Sequence, residues 1–434
     1  LIRGLADVLS DAEASLVERD RVIPGLATLL DPDAFVDALH RRIPAAGFRG
    51  ARITYIRYKP RTNCLVGFRL ELAHTTVAAT AKAYQRTPAL CHRLSQPVTP
   101  PLAAWNAGRL FLDDCGVLLS VFPHDRKITS LPRLPRADAR SRMIRRVVGR
   151  HRAPLHEGAL EELAYKPERR YVAKLSVSRE PRAVLKFYTE RNYQTAWNSS
   201  AAFESRGMLR VAPRIGNSDR YGVLAFEWLP GRLLRDAMLE PNADFGMLRA
   251  VGAAAVELHA QNASGLGYRG RKAEAAALVC EAERLGFLCP HLSKRARDLA
   301  ERLADRLVHE AATSCPIHGD FHAGQVLLEG GNIGLVDLDR AIRASPMGDL
   351  GLFIAHLDRE VLRRNLQRGQ ADRLTASLLE GYFHPRPTEL ARVNLYRAAA
   401  LLQLAPECFR HHEPDWPERI EAMLQKAGEI AEFT

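Results

Sequence analysis

The strongest constraint on the fold is a run of landmarks that occurs twice. Tyr58-Lys59-Pro60-Arg61 is followed by an apolar, strand-like stretch from Cys64 to Leu72, then by Ala81-Lys82-Ala83-Tyr84. Cys115-Gly116-Val117-Leu118-Leu119 comes later and leads into Phe122-Pro123. The second run is Tyr165-Lys166-Pro167-Glu168, a strand-like stretch from Tyr171 to Val177, and Leu185-Lys186-Phe187-Tyr188. It closes with Tyr221-Gly222-Val223-Leu224-Ala225 leading into Leu229-Pro230-Gly231. Order is the same and spacing nearly so, which marks a repeated supersecondary unit. Each copy reads as a β-hairpin, a third strand carrying a Lys, a helix and two more strands.

The flanking sequence is helical. Leu9 and Ala12 continue a helical spacing begun at Leu5 and Val8, and Asp31-Pro32 with Asp33 is a helix start. Beyond Gly231 an Ala-rich helix covers Val251 to His259, and Lys294 to His309 places Ala296, Leu299, Leu303 and Leu307 on one face. A β-rich loop section from Ile317 to Val336 interrupts these helices. At 434 residues the chain is too long for one ordinary domain, and 47% hydrophobic with 26% charged residues is globular composition.

Several function classes lose support here. No apolar run reaches bilayer length. The visible N-terminus has no charged-then-apolar signal pattern, so the expected location is the cytoplasm. Seven widely spaced cysteines form no C-x-x-C pair and no zinc spacing, and are expected to be reduced and mostly buried. The formal charge of +12 suits a polyanionic partner such as a nucleotide. Its densest run, Arg133 to Arg152, lacks interleaved aromatics for base stacking. It reads as a solvated helical linker, and nucleic acid is not the expected partner.

The chemistry concentrates in Ile317-His318-Gly319-Asp320-Phe321-His322-Ala323-Gly324-Gln325, followed by Ile333-Gly334-Leu335-Val336-Asp337-Leu338-Asp339. Phosphoryl transfer requires little covalent work from a protein. It requires a placed acceptor and neutralised phosphate charge. A carboxylate beside the acceptor hydroxyl can orient it and take its proton. A second carboxylate and an amide oxygen can hold Mg²⁺. Asp320 and Gln325 have the spacing of the kinase catalytic loop, and Asp337 follows an apolar strand as the kinase metal-binding Asp does. His318 and His322 read as loop histidines bonded to backbone.

With these motifs the sequence resembles the aminoglycoside phosphotransferase family, the choline-kinase-like small-molecule kinases. His318-Gly319-Asp320 and Val336-Asp337 carry the resemblance. It implies that Asp320 is catalytic and that Asp337 binds the metal. Gln325 stands where the family usually has Asn, and would hold the metal through a longer amide. Asp349 corresponds to the Asp that braces the loop. Asp339 is either a further ligand or a salt-bridge partner of Arg340 or Arg343.

The upstream parts complete a nucleotide site. Lys186 occupies the place of the kinase strand lysine that pairs with ATP phosphates. Glu204 is its candidate partner on the following helix, with Glu190 as competitor. Phe226-Glu227-Trp228-Leu229 resembles the hinge that hydrogen-bonds adenine. No glycine-rich loop precedes Lys186; the hairpin Lys166-Pro167-Glu168-Arg169-Arg170 stands there, so phosphate cover would come from backbone and arginine.

The resulting expectation is an α+β, bilobal protein-kinase-like fold, with a β-rich N-lobe and a helical C-lobe, preceded by a second N-lobe-like domain. Its divisions are a helical segment 1–44, a degenerate repeat 45–132, an Arg-rich linker 133–155, an N-lobe 156–231 and a helical C-lobe 232–434. The first copy lacks a catalytic loop, so Lys82 is expected to leave ATP affinity unchanged, the copy serving as a cap, dimer surface or recognition module. The expected activity is ATP- and Mg²⁺-dependent transfer to a hydroxyl of a small molecule. A pseudokinase acting as a nucleotide-binding or regulatory module is the alternative. From Gly351 to Thr434 there are 11 Lys and Arg against 12 Asp and Glu, too few net negative charges to favour a polycationic acceptor.

Overall fold

The computed structural model describes residues 9–85, 87, 108–240, 244–310, 313–383 and 387–432. The helix expected in the first copy, after Tyr84, falls mostly outside these residues.

Two five-stranded antiparallel sheets dominate the first half of the chain. The first consists of β1 (Phe48–Lys59), β2 (Asn63–Leu72), β3 (Thr76–Tyr84), β4 (Arg109–Leu112) and β5 (Val117–Val121), in the order β1-β2-β3-β5-β4. The second uses β6 (Ala159–Lys166), β7 (Arg170–Val177), β8 (Glu180–Tyr188), β10 (Arg214–Ser218) and β11 (Val223–Glu227), in the order β6-β7-β8-β11-β10. The two strand orders are the same. Registers agree as well: Lys82 on β3 lies between Leu65 and Leu118, and Lys186 on β8 lies between Val172 and Leu224. Period-two alternation explains the lysines. Ala81 and Ala83, like Leu185 and Phe187, enter a core, so Lys82 and Lys186 face the other way.

A helix covers the core side of each sheet. Pro32–Arg42 starts at Asp31, whose carboxylate accepts from the backbone N–H groups of Asp33 and Ala34, and its Phe35 stacks on Phe68 of β2 with centroids 4.2 Å apart. The Arg-rich segment forms the counterpart, Ala137–Val148. It is more than a solvated linker: Met143, Ile144, Val147 and Val148 are buried in the core of the second sheet. Gly216 permits this, because a Cβ there would lie 2.2 Å from the Val147 carbonyl.

The second half is helical. The helices are Gly246–His259, Arg271–Leu288, Ser293–His309, Pro346–Leu362, Arg368–Tyr382, Pro387–Leu404 and Trp416–Glu432, with shorter turns between them. Ser293–His309 buries Ala296, Leu299, Leu303 and Leu307, the stripe read from the sequence. Strand β9 (Leu209–Val211) pairs in parallel with Asn332–Leu335 and so attaches the second sheet's chain to the strand before Asp337. The first sheet also rests on the helices. Tyr58 meets Phe409 with ring centroids 6.2 Å apart, and Tyr55 meets His411 at 6.4 Å. Among the described residues no helix is long and apolar enough to cross a membrane, and the described cysteines are free.

Candidate active site

The loop carrying Asp320 is fixed by its own backbone. It begins at strand Cys315–Ile317 and ends in the turn Ala323–Gln325. Gly319 has φ of 74°, and a Cβ there would meet the Arg340 carbonyl at 2.3 Å, so only glycine fits. His318 is fully buried. Its Nδ1 accepts from the Asp320 N–H at 3.3 Å, so Nε2 carries the proton and donates to the Val336 carbonyl at 2.9 Å. One imidazole thereby joins the Asp320 loop to the residue before Asp337. His322 also bonds backbone, its Nδ1 accepting from the Gly324 N–H at 3.1 Å.

Asp349 fixes the same loop from below. Its carboxylate accepts from the N–H of His318 at 2.7 Å, the N–H of Gly319 at 2.9 Å and His259 Nε2 at 3.0 Å. Burial opposes its ionisation, but the His259 hydrogen bond and the loop's donors outweigh burial and hold the carboxyl below its usual range.

Asp337 sits at φ of 65°, left-handed backbone that Asp tolerates better than most residues. Lys186 Nζ donates to Asp337 Oδ1 at 3.0 Å and to Asp339 Oδ1 at 2.8 Å. Arg170, at the start of β7, binds both carboxylates, reaching Asp337 Oδ2 at 2.8 Å. Tyr188 donates to Asp339 Oδ2 at 3.0 Å, and Gln325 Nε2 to Asp337 Oδ2 at 3.3 Å. Burial would raise Asp337, yet the charges of Lys186 and Arg170 hold it well below the carboxylate range.

Two carboxylates therefore meet a pair of cations, and the Gln325 amide donates to one of the carboxylates. No cluster of three or more His, Cys, Asp or Glu side chains suited to a metal occurs among the described residues. Mg²⁺ does not need one, since it commonly takes one or two carboxylates and leaves its other positions to phosphates and water. The hard carboxylate oxygens of Asp337 and Asp339 fit that ion, and the Gln325 amide, bonded to Asp337 through Nε2, lies beside them. Asp320 stands apart from this group, paired instead with Arg340 at 3.0 Å, and its side chain is 24% exposed.

A family model described as the phosphotransferase enzyme family (APH) matches residues 165–390. The chain belongs to this family. The phosphotransferase is also similar to solved structures. One is a choline/ethanolamine kinase family protein from Mesorhizobium loti, at 17% identity and a TM-score of 0.45, covering 63% of this chain and 88% of that one. A macrolide 2'-phosphotransferase from Brachybacterium faecium shows 18% identity and a TM-score of 0.40, covering 62% and 91%. An aminoglycoside phosphotransferase in ternary complex with ADP and hygromycin B shows 12% identity and a TM-score of 0.48, covering 64% and 95%. No curated protein matches the chain. Family membership makes this a phosphotransferase with a mixed α+β, protein-kinase-like fold.

Within the phosphotransferase, Lys186, Asp337 and Gln325 come together as the sequence reading expects. Phe226 and Glu227 end the second sheet's β11 and Trp228 and Leu229 follow it, with the Phe226 ring 5.4 Å from Lys186 Nζ and the Trp228 N–H bonded to the Arg182 carbonyl. Glu204 is a correction. The helix after β8, Glu190–Ser199, ends before it. Glu204 is exposed on a loop, its N–H and carbonyl both bonded to the side chain of Gln261 at 2.9 Å, while Lys186 is paired with Asp337 and Asp339. Glu190 heads the helix and is also exposed. Asp339 pairs with Lys186 and Arg170 rather than with Arg340 or Arg343. Tyr188 was not singled out from sequence. Its position two residues after Lys186 puts it on the same strand face, a signal period-two reading contains.

Proposed function

We propose that this phosphotransferase moves the γ-phosphate of ATP to a hydroxyl of a small molecule such as a sugar, an amino alcohol or an antibiotic-like acceptor. The observation that carries the reading is the convergence of Lys186, Arg170, Asp337, Asp339 and Gln325 beside a loop that presents Asp320 separately. Phosphoryl transfer needs that division: one group for the phosphates and another for the acceptor.

Asp320 takes the acceptor role. Its carboxylate is partly exposed and held by Arg340, so an incoming hydroxyl can reach it, donate a hydrogen bond and lose its proton to it. Lys186 and Arg170 supply cationic donors to the phosphate oxygens. Asp337 and Gln325 would hold Mg²⁺, with Asp339 as a further carboxylate. When bound, the ion neutralises charge on the phosphates. Phe226 to Leu229 provide the hinge for adenine, and Glu204 has no part in the site. The kinase unit spans 156–231 and 232–434 with 45–132 as a repeat; of the segments 1–44 and 133–155, the first lends its helix Pro32–Arg42 to the repeat's sheet and the second lends Ala137–Val148 to the kinase N-lobe.

The pseudokinase alternative finds no support in a cleft that keeps Lys186, Asp320 and Asp337. A screen for acceptor-dependent ADP release over sugars, amino alcohols and antibiotics tests the proposal. Transfer to at least one hydroxylated acceptor supports it.

A further inference from the structure

The turn of the β6–β7 hairpin, Lys166-Pro167-Glu168-Arg169, points into the first sheet. Glu168 is in left-handed backbone, with φ of 54°, and its side chain is only 5% exposed. Its carboxylate accepts from Lys82 Nζ at 2.9 Å, Arg57 Nη2 at 2.9 Å and Arg126 Nε at 3.1 Å, with Lys127 Nζ at 3.7 Å. The Glu168 N–H donates to Asp125 Oδ2 at 2.8 Å, and the Tyr165 hydroxyl donates to the same oxygen at 2.8 Å. What remains of the cleft beside Lys82 has a volume of about 10 Å³. That is roughly the space for one water.

The two copies show why this contact is built rather than incidental. In the first, the turn residue Arg61 also has positive φ, and its N–H and the Tyr58 hydroxyl both bond Asp20 Oδ2. Asp20 and Asp125 thus fix equivalent hairpin turns. The lysines are equivalent as well, but they meet different anions. Lys186 faces Asp337 and Asp339 of the catalytic half. Lys82 faces the turn of the neighbouring sheet, and a carboxylate there occupies the place where a phosphate would sit beside a strand lysine. Two residues on from Glu168, Arg170 binds Asp337 and Asp339.

We infer that the first sheet is a receptor for the Glu168 turn, and that Lys82, Arg57 and Arg126 grip Glu168 to position Arg170 over the nucleotide phosphates. Glu168 and Lys82 are positioning residues, and the first sheet fixes from outside a hairpin that offers the phosphates an arginine in place of a glycine-rich loop. The inference rests on the nucleotide reading above. It also revises the expectation for Lys82, which touches no nucleotide yet controls the hairpin that does. The balance of charge fits. Burial is opposed by Lys82, Arg126 and Arg57, which together keep the Glu168 carboxyl low. Burial, with a smaller repulsion from Arg126 and Arg57, pushes Lys82 down to about 8 despite the attraction of Glu168.

The test compares wild type with Glu168→Gln, Lys82→Met, Lys82→Arg and the double variant Glu168→Gln/Lys82→Met. A nonhydrolysable ATP analogue with Mg²⁺ is titrated into each, and amide exchange is followed across residues 166–170. Glu168→Gln and Lys82→Met each weaken the analogue about tenfold and speed exchange of the hairpin, whereas Lys82→Arg stays near wild type. The double variant, which strands no buried partner on either side of this pair, loses less than the product of the single losses. Wild-type binding by Glu168→Gln, or losses that multiply in the double variant, would overturn the latch. Wild-type protein that fails to bind the analogue would overturn the nucleotide reading itself, a failure seen before any substitution is made.

Discussion

Lys186 Nζ donates to Asp337 Oδ1 at 3.0 Å, joining the second sheet to the catalytic half across the cleft. Replacing Lys186 with Ala leaves Arg170 as the one cation bound to Asp337 and Asp339 among the described residues, and turnover falls about 100-fold or more. Asp337→Ala removes Mg²⁺-dependent nucleotide binding. Calorimetric titration with and without Mg²⁺ checks both, and an Asp337→Ala variant that keeps the Mg²⁺ dependence would remove that residue from the metal site.

Gln325 is the departure from the family pattern. If its amide oxygen holds the ion, Gln325→Asn retains activity and Gln325→Leu loses it. Steady-state rates at several Mg²⁺ concentrations decide this. Equal rates for the Leu variant mean that the amide is no ligand.

Much of this site was legible in the sequence because it depends on local spacing. His318-Gly319-Asp320 and Val336-Asp337 needed no knowledge of tertiary contacts, and Lys186 followed from its place in the second copy. Glu204 failed because a helix partner was carried over by analogy. Nothing local kept the helix going past Ser199, and the anions that Lys186 meets lie some 150 positions along the chain. The Arg-rich segment was read by charge, although Met143, Ile144 and Val147 on its other side belong to a core. The Glu168 turn was beyond reach, since its partners Arg57, Lys82 and Arg126 come from separate strands and a loop of the first copy.

Asp349 predicts a pH dependence of stability. Its folded carboxyl lies below the unfolded value, so its contribution is fully present above the unfolded value of about 4 and is lost as pH falls through the folded value. Asp349→Ala leaves the N–H groups of His318 and Gly319 unpaired and costs about 3 kcal/mol or more. Chemical denaturation between neutral and acid pH reads both effects. A variant whose stability follows the wild-type pH curve contradicts the assignment.

Arg340 tests whether the contact at Asp320 is structural. The pair is solvent-accessible, with Arg340 66% exposed, so Arg340→Ala changes stability by less than about 1 kcal/mol. Acceptor KM changes instead, because the group that holds the carboxylate proposed to meet the acceptor is lost. A lower melting temperature with unaltered KM contradicts this.

The most direct measurement is acceptor-dependent ADP release by Asp320→Asn beside wild type, on an acceptor found by screening, with nucleotide affinity measured on the same samples. Because Asp320 stands apart from Lys186 and Asp337, turnover falls about 10²- to 10⁴-fold while Mg-nucleotide affinity stays near wild type. Wild-type turnover by Asp320→Asn, or equal loss of turnover and nucleotide affinity, would contradict the division of roles on which the proposed phosphoryl transfer depends.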